Sequence, residues 1–391
     1  MKVLYCVGTD ISKDKFDACI KQSKAEDGFV IKGTHSFSNT LAGFKELSAW
    51  VLKRSREVSG IKFVMEATGV YYENLAYYLH SAGFQVSVEL ANKVRHYIQS
   101  LNIKTKTDKV DSKVLARMGL ERELSLWRPM SVVYRELRDL SRLKLSYRKN
   151  QTALKNQLSA MECAHEKYEP VISLQKKQIA FYEESIGELD REMDKIARKD
   201  PGLYDKITKI CTVKGLTFNT VVAVVCETNG FELFDSIRQT VSYAGLDVKL
   251  NESGTRKGKT SISKKGNSRI REVLYMPALN AIQHNKPIAD LHKRICEKNP
   301  STRKKGVVAG MRKLLMLIYV LWKKNEVYNE NIIGIKDMIH QVTWRTEAFI
   351  WLKKSGTKTV PHLIDISTTN RTEAFIWLKA KIESFFNNLT L

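Results

Sequence analysis

The sequence predicts an α/β domain built on a mixed sheet, then a long helical stretch, then a second and mainly helical domain. Three observations carry that prediction. Short apolar runs alternate with helical patterns over the first 90 residues. From about residue 131 to 200 the apolar positions recur at alternating intervals of three and four. Beyond 203 the helical period returns and is broken by one basic, glycine- and serine-containing segment. The boundaries drawn from these changes are 1–125, 126–202, 203–325 and a remainder, 326–391.

The elements follow in order. "KVLYCVGTD" is a short apolar run ending at Gly-Thr-Asp, "KFDACI" alternates, and "FVIKGTHSFS" completes a set of hairpin-like strands. Leu41, Phe44, Leu47 and Val51 then share one helical face. "IKFVMEAT" is a buried-type strand, "YYENLAYYLHSAG" a helix closed by Gly83, and "FQVSVEL" a further strand. Residues 108–120 read as a helix with Val110, Val114, Leu115 and Met118 on its apolar side. In the next segment Leu137, Leu140, Tyr147, Leu154, Leu158 and Met161 keep the heptad-like spacing, Pro170 interrupts it, and Ile179, Tyr182, Ile186, Leu189, Met193 and Ile196 resume it. That pattern predicts either an antiparallel helical hairpin or a coiled-coil contact between two chains. In the remainder, "RTEAFIWLK" occurs twice, at 345–353 and 371–379, too few copies for a repeat array. It reads as a local duplication, and no function is assigned to it.

Composition narrows the function classes. Lys and Arg outnumber Asp and Glu by 65 to 42, a net charge of +23 in 391 residues. Such an excess favours a polyanionic partner, nucleic acid before an anionic membrane surface. The six cysteines form no C-x-x-C pair, so they read as buried free thiols in a reducing compartment, without disulfides or zinc. The longest apolar run, "LLMLIYVLW", falls short of the ~20 residues that span a bilayer. No basic-then-apolar leader opens the chain. A cytoplasmic protein is expected.

Two constellations carry chemistry. Asp10 ends the first strand, Glu66 ends the strand "FVME", and Asp108 and Asp111 lie three apart where "KTKTDKVDSK" opens a helix. Each has an ordinary alternative role, Asp10 in a turn and Asp108 as a helix cap. Together, four carboxylates at one sheet edge would repel one another unless divalent cations filled the cluster. Two Mg²⁺ ions about 4 Å apart would relieve that repulsion and suit phosphodiester chemistry. A sugar-kinase-like first strand also ends in Gly-x-Asp, but "GTDISKDKF" lacks the second glycine of a phosphate loop. The other constellation is "LDVKLNESGTRKGKTSISKKGNSRIRE". From Arg256 to Arg271, seven of sixteen residues are basic and none is acidic. The segment reads as a flexible loop whose Arg256, Lys257, Lys259, Lys264, Lys265, Arg269 and Arg271 meet phosphates, together with Lys104 and Lys106. Ser253, just before them, offers a hydroxyl that needs a base or metal to become nucleophilic.

"GTDISKDKFD", "VMEATGVYYENLA", "KTDKVDSKVLA", "YAGLDVKLNESGT" and "ISKKGNSRIREVLYMPALNA", in this order, resemble the DEDD transposases of the IS110 insertion-sequence family and the related Piv-type DNA invertases. The resemblance covers about residues 3–325. It implies an RNase H-like (RuvC-like) N-terminal domain, a coiled-coil helical linker and a mainly helical C-terminal transposase domain. It also implies that Asp10, Glu66, Asp108 and Asp111 hold Mg²⁺ and that Ser253 forms a covalent link to DNA. A structured guide RNA bridging target and donor DNA, and assembly as a homodimer or homotetramer, are further implications. One departure stands out: "VKGLTF" replaces the family's usual Pro-Gly-Val-Gly turn, with Lys214 and Thr217 at altered positions. Two other readings stay open, an RNase H-like nuclease or Holliday-junction resolvase acting through water, and a nucleic-acid-binding protein with an inactive acidic site.

Overall fold

The first apolar run of the sequence becomes the central strand of a five-stranded sheet. The computed structural model describes residues 5–24, 28–55, 60–67, 69–103, 107–232, 234–253, 256–258 and 260–329, with Glu252, Arg256 and Lys257 described through their backbone. The duplicated "RTEAFIWLK" segments lie outside these residues. The chain divides into two compact units, Met1–Ser131 and Val132–Leu391.

In the first unit, β1 (Tyr5–Ile11), β2 (Lys15–Ser23) and β3 (Phe29–Ser38) run antiparallel in succession. After α1 (Leu41–Ser55) comes β4 (Ile61–Glu66), then α2 (Glu73–Ser81), β5 (Gln85–Glu89), α3 (Ala91–Ser100) and α4 (Asp108–Glu121). β4 pairs parallel to β1 and β5 parallel to β4, giving the order β3-β2-β1-β4-β5. Because strand side chains alternate, β1 and β4 are buried on both faces. One face packs Val7, Phe16, Ile20, Phe63 and Met65 against Leu47 and Val51 of α1 and Leu75 and Leu79 of α2. The other packs Cys6 and Val64 against Val94 and Tyr97 of α3 and Val114, Leu115 and Met118 of α4. Each such aliphatic or aromatic side chain adds ~1.5–3 kcal/mol when fully buried. Leu41 departs from the predicted apolar face and is 59% exposed, since it begins α1 before the helix reaches the sheet.

In the second unit, α5 (Val132–Glu162) and α6 (Glu169–Arg198) form an antiparallel hairpin within one chain. Lys144 pairs with Asp190, Asn150 with the Tyr182 hydroxyl at 3.4 Å, and Lys176 with Glu162 at 3.6 Å. Pro170 sits in the first turn of α6, where its missing N–H leaves no helical bond unmade. Leu137, Met193, Ile196 and Ala197 from this hairpin share a core with α7 (Pro201–Cys211) and α8 (Phe218–Glu227). The chain continues through α9 (Ile237–Tyr243) and the two-residue strands β6 (Val248–Lys249), β7 (Glu252–Ser253), β8 (Arg256–Lys257) and β9 (Ser261–Ile262). The last described elements are α10 (Ser268–His284), α11 (Lys286–Lys298) and α12 (Lys304–Lys324). The apolar run "LLMLIYVLW" is the buried face of α12, and no described helix is long and apolar enough to cross a membrane. At the altered "VKGLTF" turn, Gly215 has φ +102° and an added Cβ would lie 2.9 Å from the Pro277 carbonyl oxygen. Glycine is thus required there both by conformation and by the approach of α10. All six cysteines are free thiols, but only Cys6, Cys19 and Cys226 are buried; Cys211 and Cys296 are half-buried and Cys163, just past the end of α5, is exposed, correcting the expectation that all are buried.

Candidate functional site

The placement of "DKVDSK" beside the first strand rests on two glycines. Cys6, Gly8 and Asp10 project from one face of β1. At Gly8 the strand meets the backbone of α4 so closely that a Cβ would strike the Ala116 amide and the Ser112 carbonyl. One turn further along α4, a Cβ on Gly119 would strike Cys6 Sγ, with Val64 Cγ2 only 2.6 Å away. α4 therefore runs antiparallel to β1, with Gly119 over Cys6 and Ser112 over Gly8. Its first turn, carrying Asp108 and Asp111, reaches the end of the strand where Asp10 stands.

Strand register supplies the remaining carboxylates. Asp10 pairs with Asp17 across β1 and β2, and Glu66 with Glu89 across β4 and β5. The β1–β4 register ends at Thr9 opposite Met65, which brings Glu66 alongside Asp10. Asp17, Asp10, Glu66 and Glu89 thus form a row across the sheet edge. Asp17 and Glu89 are buried and engaged: Ser36 Oγ donates to Asp17, and Lys93 Nζ lies 2.6 Å from Glu89. The Asp10 carboxyl is pushed up to about 6, first by burial and then by the charges of Asp111, Asp108, Glu66 and Asp17. Asp108, Asp111 and Glu66 are therefore each within electrostatic reach of Asp10. Asp108 is not the helix cap: Thr107 is, its Oγ1 accepting from the Val110 amide at 3.3 Å. That leaves Asp108 exposed in the first turn, where the helix dipole favours anions.

Hard, anionic oxygen donors of this kind suit Mg²⁺, and the mutual repulsion felt by Asp10 is what a bound cation would relieve. Among the described residues, no three His, Cys, Asp or Glu side chains already surround one ion position. The carboxylates gather at the sheet edge without closing into a ligand cage.

The basic segment is not the open loop expected from its composition. It folds back as a narrow ribbon, Val248 opposite Ile262 and Lys249 opposite Ser261, then Glu252 opposite Lys257 and Ser253 opposite Arg256. Between the two tiers, the Gly258 amide donates to the Asn251 carbonyl at 2.7 Å. Each tier is only two residues long, too short for alternation to be read in a lysine-rich sequence. Ser253 is exposed at the last pair before the tip. Lys264, Lys265 and Arg269 are exposed near the ribbon's base, whereas Arg271 is partly buried and donates to the Ala244 carbonyl at 2.8 Å, bracing that base. Lys104, Lys106 and Lys259 lie outside the described residues.

What holds the ribbon in place was invisible in the sequence. Glu227, buried at the end of α8, accepts two hydrogen bonds from the Arg142 guanidinium of α5 at 2.6 and 2.9 Å. It accepts a third from Asn267 Nδ2 at 2.7 Å. Asn267 also caps α10, its Oδ1 accepting from the Arg269 amide at 3.0 Å, while its own amide donates to the Tyr243 carbonyl at 2.7 Å. The Tyr243 hydroxyl closes the circuit on the Glu227 carbonyl at 3.1 Å. Burial would raise the Glu227 carboxyl, but the bonds and charge of Arg142 and the Asn267 bond hold it below the usual range. The one local signal that could have pointed to it is Asn267 ahead of the helical pattern, a residue type that favours helix caps.

Comparison with known proteins places both constellations inside matched regions. A DEDD transposase family model of the IS110 group matches residues 7–161, a span containing all four carboxylates. A second model, Transposase IS116/IS110/IS902 family, matches residues 207–293, which contain Ser253 and its ribbon. A pilin gene-inverting protein of Moraxella bovis is 28% identical over 330 residues, covering 83% of this chain and 98% of that protein. The transposase for insertion sequence element IS1111A of Coxiella burnetii is 22% identical over 367 residues, 84% of this chain and 92% of that one. Among solved structures, Thermus thermophilus RuvC aligns with 32% of this chain and 99% of its own at 11% identity, with a TM-score of 0.24.

Proposed function

The chain belongs to the IS110 family of DEDD transposases and DNA recombinases, and from that premise we propose that it exchanges DNA strands through a serine–DNA intermediate supported by Mg²⁺. The observation that carries this reading is the placement of Asp108 and Asp111, in the first turn of α4, at the end of β1 where Asp10 stands and beside Glu66 at the end of β4, a concentrated anionic site that also raises the Asp10 carboxyl. Asp10, Glu66, Asp108 and Asp111 are the residues that would hold the metal. When bound, Mg²⁺ offsets negative charge on the phosphate and lowers the pKa of an attacking hydroxyl.

In this scheme the Ser253 Oγ attacks phosphorus. The Oγ–P bond forms as the bond from phosphorus to one deoxyribose oxygen breaks, and that oxygen leaves as a hydroxyl carrying the proton the serine gave up. One phosphodiester is exchanged for a phosphoserine ester of similar energy. A second deoxyribose hydroxyl can then reverse the step on a different strand without any nucleotide being consumed. Lys264, Lys265 and Arg269, exposed near the ribbon's base, position the DNA backbone around Ser253.

Three finer assignments belong to the same proposal. The first unit is of the RNase H-like class, its acids gathered at one edge of a mixed sheet. The α5–α6 hairpin acts as the coiled-coil contact that pairs protomers, with Leu174 and Phe181 exposed seven residues apart on α6 at 65% and 59%. A structured RNA guides the choice of DNA; a defined RNA should copurify and be required for strand exchange, and full activity without it would refute guidance.

The test of the central reaction is to incubate the protein with DNA carrying its element's ends and Mg²⁺, then look for a protease-sensitive DNA adduct. The expected adduct is lost in both Ser253→Ala and Asp10→Ala. Cleavage that persists in Ser253→Ala would instead assign a water-dependent nuclease.

A further inference from the structure

Some helical cations of the second unit are balanced by an acid on the same helix. On α6, Arg198 pairs with Asp194 at 2.6 Å, and on α7, Lys209 pairs with Asp205 at 2.5 Å. The corner where α11 meets α12 is different. From Lys298 through Asn325 the sequence contains eight Lys or Arg and no Asp or Glu. The two helices are packed closely there, for an added Cβ on Gly306 would lie 2.6 Å from His292 Cδ2 and 3.0 Å from Cys296 Sγ. Lys305 Nζ donates across the corner to Asn299 Oδ1 at 2.8 Å. Arg294, Lys298, Arg303 and Lys304 are exposed, and Arg312 and Lys313 half-buried beside them. None of these six is in an ion pair with a described residue. Among them the Lys313 ammonium is pushed down to about 8, first by burial and then by the charge of Arg294. Asp290 and Glu297 are exposed on α11 but make no ion pair with these cations among the described residues.

Uncompensated charge of this density is unfavourable in the isolated protein, and the fold holds it in place with a buried α12 behind it. We propose that the α11–α12 corner is a second phosphate-binding surface, separate from the Ser253 ribbon, that grips the backbone of double-stranded DNA. Arg294, Lys298, Arg303 and Lys304 make the contacts. They carry no sequence information, but they fix where the duplex lies while chemistry proceeds elsewhere. The inference rests on DNA being the substrate, as the family assignment gives it.

The test is the salt dependence of binding. Affinity for a duplex of the element's end is measured over a range of salt for the wild-type chain and for the fourfold variant Arg294→Gln, Lys298→Gln, Arg303→Gln, Lys304→Gln. Each lost phosphate contact removes about 0.9 from the slope of log affinity against log salt, so the slope should shrink by about 3 to 4. A matched variant that exchanges Arg and Lys at the same four positions should keep the wild-type slope. An unchanged slope in the glutamine variant overturns the proposal. So does a loss that appears with duplex RNA but not with duplex DNA, or an equal loss in the charge-preserving variant. The outcome is distinguishable from the fate of the serine mechanism: an adduct with an unchanged slope sinks this surface alone, and a reduced slope without adduct sinks the serine chemistry alone.

Discussion

No carbon atom can be added to Gly8 without striking the carbonyl of Ser112. That contact between a strand and the backbone of the helix above it sets how closely α4 approaches the sheet. It therefore also sets how far Asp108 and Asp111 stand from Asp10. Gly8→Ala should push α4 outward, lowering stability by about 1–3 kcal/mol as overpacked cores do. Strand cleavage should fall further than stability predicts, on the order of a hundredfold, because a displacement of about 1 Å at a catalytic group has that effect. Chemical denaturation and a cleavage assay on the folded fraction check the two parts separately.

The carboxylate cluster makes a prediction about pH. Asp10 is raised to about 6 from an ordinary 3.8, so the folded chain binds this proton more tightly than the unfolded one. Its stabilising contribution is complete below the unfolded value and is lost as pH rises through the folded one. Without divalent metal, the melting temperature of the wild-type chain should fall relative to Asp10→Asn between about pH 4 and pH 7. Millimolar Mg²⁺ should remove that fall in the wild-type chain and leave Asp10→Asn unaffected. If Mg²⁺ changes neither curve, these acids do not hold the metal.

The Arg142–Glu227 pair predicts the opposite pH behaviour in the second unit. Glu227 is held below the usual carboxylate range in the fold, so its stabilising contribution is present above the unfolded value and lost as pH falls through the folded one. Glu227→Gln should flatten that acid limb. Arg142→Met leaves the buried carboxylate without its main partner and should destabilise by about 3–5 kcal/mol at neutral pH. The double variant should recover part of this, since the unpaired charge is then gone. Denaturation midpoints for the two single variants and the pair form the cycle that decides it.

Much of the first unit was legible because its elements obey strong local rules. The strands at 5–11 and 61–66 are built on short apolar runs that end in Asp10 and Glu66, and the helix at 108–121 shows its buried side at Val114, Leu115 and Met118. What local pattern does not encode is register. Asp17 and Glu89 became part of the acidic row only because β2 and β5 pair with their neighbours at those positions, a long-range fact. The same holds for Glu227, which reads as one more polar residue closing an apolar helix until α5 brings Arg142 to it across 85 residues of sequence. The ribbon around Ser253 was missed for a different reason. Two-residue tiers are too short to show a strand pattern in the sequence, even with Val248 opposite Ile262 in one of them.

Thr107 and Asp108 are adjacent, and the structure assigns them different work, which yields the most discriminating experiment. Thr107 accepts the Val110 amide and begins α4, so Thr107→Val should cost about 1 kcal/mol of stability, the usual value of a helix cap. Its side chain does not belong to the acidic cluster, and strand cleavage by the folded protein should be nearly unchanged. Asp108→Asn removes a charge from the exposed first turn, where its interaction with the helix dipole is worth only about 0.3–1 kcal/mol, and relief of repulsion on Asp10 works against even that loss. Stability should scarcely move, DNA affinity should persist, and adduct formation should disappear. Melting, binding and cleavage measured side by side on the two variants test the assignment. Should Asp108→Asn lose stability and keep its cleavage, the acid is part of the helix start and not of the site.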